Sequence, residues 1–180
     1  GVFFNMRYKN TGKSKENGVI YTPREIADYV AAEMIRYRPI KPTDKELLIL
    51  DPAVGTGELL VSMINAVSSA GLPIKAIGYE TDIDVAKTTE VAIKKQFPNV
   101  EVVIRNEDFL TAVDNHKVEK FDYVIANPPY IRTQILGSEK SQSISNKLGL
   151  NGRIDIYYAF LLYTSEVLKK TGVAGYITSN

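Results

Sequence analysis

Beyond Glu46 the chain alternates between two hydrophobic rhythms. Leu47–Leu50, Ala76–Tyr79, Val100–Ile104, Phe121–Ala126 and Val173–Thr178 are short apolar runs. Runs of this kind belong to strands buried on both faces of a parallel sheet. Between them, apolar residues recur at helical spacing. Leu59, Leu60, Met63, Ile64 and Val67 share one face, Asp82 can cap a helix running to Phe97, and Ile156, Phe160, Tyr163 and Val167 predict a helix over Asp155–Lys170. Upstream, Thr22-Pro23-Arg24-Glu25 has the form of a capping box with proline at the first helical position. Ile26, Tyr29, Val30, Met34 and Ile35 then predict a helix to about Tyr37, and the first twenty residues read as an arm or loop. Strand and helix in alternation imply an α/β protein with a doubly wound, mostly parallel, Rossmann-like sheet. Residues 1–44 form an arm and helix, and 45–180 form the core. The polar connection Ile131–Arg153 is long for a compact domain, as expected of a flap over a site.

Composition narrows the chemistry. The 180 residues carry a formal charge of only +1, so no strong basic field marks a nucleic-acid surface on this piece. There is no cysteine, which excludes disulfides, thiolate metal sites and thiol nucleophiles. No apolar run reaches membrane-spanning length, and a cytoplasmic protein is expected. Gly1 in place of an initiator methionine reads as a processed end.

The first apolar run leads into Asp51-Pro52-Ala53-Val54-Gly55-Thr56-Gly57 and then a helix. Gly55 and Gly57 permit left-handed backbone and close approach of a ligand, at the strand end where such sheets bind cofactors. Leu60 stands where a dinucleotide fingerprint needs its third glycine, and no lysine follows as in a phosphate-binding loop. Asp51 instead suits a cationic or amine-bearing ligand. Glu80, followed by Thr81, ends the second run and can grip a ribose diol. Asp108 can accept from an adenine amine, and Phe109 can cover its ring. Ribose, adenine and a positive charge without phosphate describe S-adenosylmethionine, with S-adenosylhomocysteine as its product.

The fourth run breaks off at Asn127-Pro128-Pro129-Tyr130. An exocyclic amine is a weak nucleophile because its lone pair is delocalised into the ring. The Asn127 side-chain oxygen and the Pro128 carbonyl, stiffened by the Pro-Pro pair, can accept its two protons and localise that pair. Tyr130 can stack on the base. No metal is needed. His116 lies in a polar loop and reads as solvated.

These motifs, in this order, resemble those of the N6-adenine DNA methyltransferases of bacterial restriction–modification systems. The resemblance runs from about residue 20 to the end. It implies that Tyr21-Thr22-Pro23 walls the cofactor pocket, that Asp51–Gly57 (with Pro52 and Ala53) binds the methionine end, and that Glu80 and Thr81 take the ribose. It also implies that Asp108 and Phe109 take the adenine ring and that Asn127–Tyr130 is catalytic. Asp155–Phe160 and Gly175–Thr178 are similar to later segments of that family. Such enzymes have seven-stranded sheets, so the chain is expected to be a fragment ending after about the fifth strand. Its target-recognition region would be absent, double-stranded DNA would bind through the full-length protein, and the fragment alone would be inactive or weak. The open sheet edge would favour self-association. Two other readings stand beside this one: a methyltransferase acting on a protein glutamine amide or RNA, and a cofactor-binding subunit without turnover.

Overall fold

A computed structural model describes residues 1–9, 22–128, 146 and 156–179. The strands are β1 (Val2–Tyr8), β2 (Leu47–Asp51), β3 (Ile74–Tyr79), β4 (Glu101–Arg105), β5 (Phe121–Ala126) and β6 (Leu168–Ser179). The helices are α1 (Arg24–Tyr37), α2 (Glu58–Ser68), α3 (Ile83–Gln96), α4 (Phe109–Asp114) and α5 (Ile156–Val167). All pairings are parallel, in the order β1-β6-β5-β2-β3-β4. The chain therefore winds outward in two directions from the β2–β5 boundary. At such a switch point the loops leaving the strand ends diverge and open a crevice.

Two apolar cores sandwich the sheet. On one face α1, α2 and α3 bring Val30, Met34, Leu60, Met63 and Ile93 onto Ile49, Ala76 and Tyr123. On the other, α4 and α5 bring Phe109, Val113, Phe160 and Tyr163 onto Leu50, Ile77 and Val124. Odd and even positions of the same strands feed opposite cores, which is why these runs are apolar throughout.

The five expected strands and the parallel, doubly wound order are present, with four differences in detail. Val2–Tyr8, expected as arm, pairs with β6 from Val2↔Val173 to Tyr8↔Ser179. It occupies the edge that would otherwise be open. Phe4, Met6 and Tyr8 turn inward while the residues between them are exposed, a period-two pattern. In α1 the buried stripe is Ala27, Val30, Ala31 and Met34, while Tyr29 is exposed. Small alanines let the helix lie close to the sheet, and Gly175 opposite leaves room for Met34, whose Sδ would stand 2.5 Å from a Cβ there. The helix expected to reach Lys170 ends at Val167, because Leu168 already pairs with Phe121 across an irregularity in the β5–β6 ladder. Finally, Phe109–Asp114 is a short helix that the apolar rhythm did not signal. Apart from Asn146, the expected flap lies outside the described residues.

Candidate active site at the switch point

Asp51 is the last residue of β2, and its neighbour β5 runs on into Asn127. Between β2 and α2 the backbone is held by three contacts. Asp51 Oδ1 accepts from the Ala53 N–H at 3.0 Å, the Val54 N–H donates to the Tyr79 carbonyl at 2.9 Å, and Thr89 Oγ1 donates to the Gly55 carbonyl at 2.6 Å. Gly55 and Gly57 have φ of 52° and 93°, values that side chains resist, and Gly57 precedes α2 directly. The loop rests on Gly78, where an added Cβ would meet Val54 Cβ at 2.8 Å and Ile104 Cδ1 at 2.9 Å. Gly78→Ala should therefore lift Val54 and destabilise the protein by about 1–3 kcal/mol. A urea unfolding midpoint equal to wild type would refute that packing argument. Arg24, Thr56, Gly57, Glu58, Val61 and Ser62 line a cleft of ≈ 210 Å³ where α1 and α2 begin.

At the next strand ends, Glu80 follows β3 and its backbone N–H donates to the Arg105 carbonyl. Asn106 Nδ2 donates to the carbonyls of both Glu80 and Thr81 at 2.9 Å. Asp82 caps α3 as its sequence implied, accepting from the Asp84 and Val85 N–H groups. Asp108 caps α4 through Oδ2, which accepts from both the backbone N–H and the hydroxyl of Thr111. Phe109 lies inward, 1% exposed, edge-on to Tyr79 and stacked near Phe160. Asp51, Glu80, Asp108 and Asn127 thus stand at the ends of adjacent strands, while the Phe109 ring belongs to the core below them.

Asn127 lies just past the last ladder pair of β5, Ala126↔Tyr176. Its Nδ2 donates to Thr22 Oγ1 at 2.8 Å. Thr22 is 5% exposed and does not cap α1: Pro23 takes the cap position, with no side-chain cap bond. The expected capping box is therefore not formed, because a tertiary partner takes the hydroxyl that would close it. The Thr22 hydroxyl also meets the Tyr8 phenol. Pro52, Pro23 and Pro128 lie in the same loops, with Pro52 and Pro128 buried. Tyr21, Pro129 and Tyr130 lie outside the described residues. Sequence reasoning missed Tyr8, Thr89 and Asn106. The alternation in Val2–Tyr8 could have revealed the first, but the other two sit in segments with no local signal.

Asp51 is 1% exposed, and burial pushes its carboxyl up to about 7, against the lowering effect of the Ala53 N–H. Glu58 and Glu80 push it the same way as burial. Between about pH 4 and pH 7 the folded state therefore holds a proton that the unfolded state has released, and stability falls as pH rises through that window. Asp51→Asn keeps the acceptor for Ala53 and removes the titration. It should raise stability by about 2 kcal/mol at pH 8 and by nothing at pH 4. Urea titrations at the two pH values check this, and an equal change at both would refute the linkage.

Comparison with known proteins identifies the family and the fold. The family model described as N-6 DNA Methylase matches residues 3–180. The chain is 35% identical over 183 aligned residues to the type II methyltransferase M.BanIII of Aneurinibacillus aneurinilyticus, covering 93% of this chain and 31% of that protein. It is 26% identical to the modification methylase CviBIII of Paramecium bursaria Chlorella virus NC1A, covering 92% and 38%. The chain thus spans about a third of the length of these curated relatives. Among solved structures, the type IIG restriction endonuclease BpuSI superposes with a TM-score of 0.66 at 20% identity, over 87% of this chain and 19% of that one. A putative class I S-adenosylmethionine-dependent methyltransferase from Listeria monocytogenes gives 0.64 at 22%, over 87% and 45%. These two share the fold. With the family model covering nearly the whole chain, the protein belongs to the N-6 DNA methylase family.

Proposed function

We propose that this chain is the catalytic core of an enzyme that moves a methyl group from S-adenosylmethionine to the N6 amine of adenine in double-stranded DNA, within a restriction–modification system. The observation that carries the reading is the Asn127 carboxamide at the switch point, its nitrogen held by Thr22 at 2.8 Å. That leaves its oxygen as the acceptor. The site also fits the cofactor: carboxylates end three adjacent strands, and two left-handed glycines form a cradle without a phosphate-binding lysine. When bound, S-adenosylmethionine supplies an activated methyl group on a positively charged sulfur.

The chain's own residues do the rest. Asp51 through Gly57 receives the methionine end, Glu80 and Thr81 the ribose, and Asp108 the adenine amine of the cofactor, with Tyr21, Thr22 and Pro23 as a wall. The Asn127 oxygen and the Pro128 carbonyl each hold one proton of the substrate amine, so that positive charge developing on nitrogen is met by two aligned acceptors. Pro129 keeps that pair stiff and Tyr130 stacks on the base. The base must leave the duplex to reach them. Residues 45–180 carry the catalytic motifs, β1 and α1 of residues 1–44 pack into the same sheet and core, and site recognition belongs to chain outside these residues. The outer edge of β1 is the surface for any self-association. Among the described residues no helix is long and apolar enough to cross a membrane, and we place the protein in the cytoplasm.

The test is transfer of a labelled methyl group by the full protein to adenine in duplex DNA, with a glutamine peptide and an RNA as rival acceptors. Labelled N6-methyladenine is expected, and label on glutamine or RNA alone would overturn the reading.

A further inference from the structure

We infer that Thr22 is a positioning residue for Asn127, selecting which end of its carboxamide faces the substrate. This rests on the function proposed above and adds to it a requirement that the motif itself does not contain. A carboxamide has two ends of nearly equal size and opposite chemistry, one acceptor and one donor of two protons. Turned the wrong way, Asn127 would present N–H groups to an amine that itself needs acceptors. Its position past the last pair of the β5 ladder means the sheet does not set this choice.

The setting comes instead from two segments far away in the chain. Thr22 Oγ1 lies 2.8 Å from Asn127 Nδ2, across a separation of 105 residues. A threonine hydroxyl has one proton and can donate once. Thr22 gives no side-chain cap to α1, and its hydroxyl meets the phenol of Tyr8. Burial raises the Tyr8 phenol, and the Thr22 contact partly offsets that rise. Thr22 Oγ1 accepts from the nitrogen of Asn127, so the carboxamide oxygen is the end turned away from Thr22. Tyr8 is 8% exposed and is held by β1, which lies in register with β6 up to Tyr8↔Ser179. Tyr8 is therefore fixed by regular structure, and Thr22 stands two residues before α1 begins.

Thr22→Val is nearly isosteric and removes only the hydroxyl. In the full protein it should lower kcat for adenine methylation about tenfold, a larger factor than any change in the S-adenosylmethionine Kd by calorimetry. Thr22→Ser restores the hydroxyl and should bring kcat back to within about threefold of wild type. Independently of turnover, the Asn127 side-chain amide protons, assigned by their loss in Asn127→Asp, should exchange with solvent faster in Thr22→Val. Unchanged kcat and exchange in Thr22→Val would overturn the inference. So would lost cofactor binding, which would make Thr22 a cofactor-wall residue only, or a Thr22→Ser variant as slow as Thr22→Val. If wild type methylates no adenine, the function proposed above fails. If wild type is active and Thr22→Val is too, only the positioning role fails.

Discussion

Asn127→Ala should reduce methyl transfer to adenine by about a thousandfold. Removing one of two pre-aligned acceptors withdraws stabilisation at the moment charge forms on nitrogen, where a low-dielectric site makes it count most. The substitution also leaves Thr22 Oγ1, buried beside the site, without its donor. The loss should fall on kcat far more than on cofactor affinity, since the acceptor serves the incoming base. Asn127→Asp should lose less, because a carboxylate still offers an acceptor, though one no longer matched to Thr22. Initial rates with labelled methyl donor measure both. A rate for Asn127→Ala within tenfold of wild type would sink the two-acceptor mechanism.

The second large effect lies at the opposite end of the strands and is one of stability. Arg38, 7% exposed, sends Nη2 to Asp122 Oδ1 at 3.0 Å and both terminal nitrogens to Asp44 at 3.0 and 3.1 Å. The Tyr123 hydroxyl donates to the Arg38 carbonyl at 2.6 Å, and the guanidinium lies 5.3 Å from the Tyr123 ring centre. Asp122, 2% exposed, also accepts from the Leu48 N–H and Lys169 Nζ. Burial works against the charged Arg38, but bonds with Asp44 and Tyr123 outweigh it and hold its pKa above the ordinary value. Arg38→Leu removes one partner and leaves a buried carboxylate with Lys169 and an amide. That should cost about 3–5 kcal/mol. Pairing it with Asp122→Asn should cost less than the sum of the two, because each substitution relieves the charge the other strands. A urea midpoint showing less than about 1 kcal/mol of loss for Arg38→Leu would mean the cluster is a surface ornament.

These two sites divide what the sequence could and could not reveal. The switch point was legible because the flanking strands are apolar on both faces and end in residues that cannot continue them, Asp51 before Pro52 and Asn127 before Pro128. Asp82 was legible as a cap because capping is a local bond. Arg38 carries no local signal, because its partner Asp122 is 84 residues away. Thr22 fits the local grammar of a capping box, yet its hydroxyl answers Asn127 instead, so a short-range pattern gave way to a long-range contact. Val2–Tyr8 reads as arm because the stretch after it is rich in Gly, Lys and Asn. Its strand character depends on β6, the last element of the fold.

One helix touches both of these sites. At its start α1 delivers Thr22 to Asn127, just beyond the end of β5. At its finish it delivers Arg38 to Asp122 and Tyr123, at the beginning of the same strand. Helix and strand are thus fastened to each other twice, once at each end of the strand, and α1 acts as a ruler laid along β5. One residue added or removed between Thr22 and Arg38 would shift one end by ~1.5 Å and turn it by ~100°. Both fastenings could not then be kept. Substitutions along the outer face of α1 leave the ruler intact, but a change in its length would uncouple the asparagine from the strand that carries it.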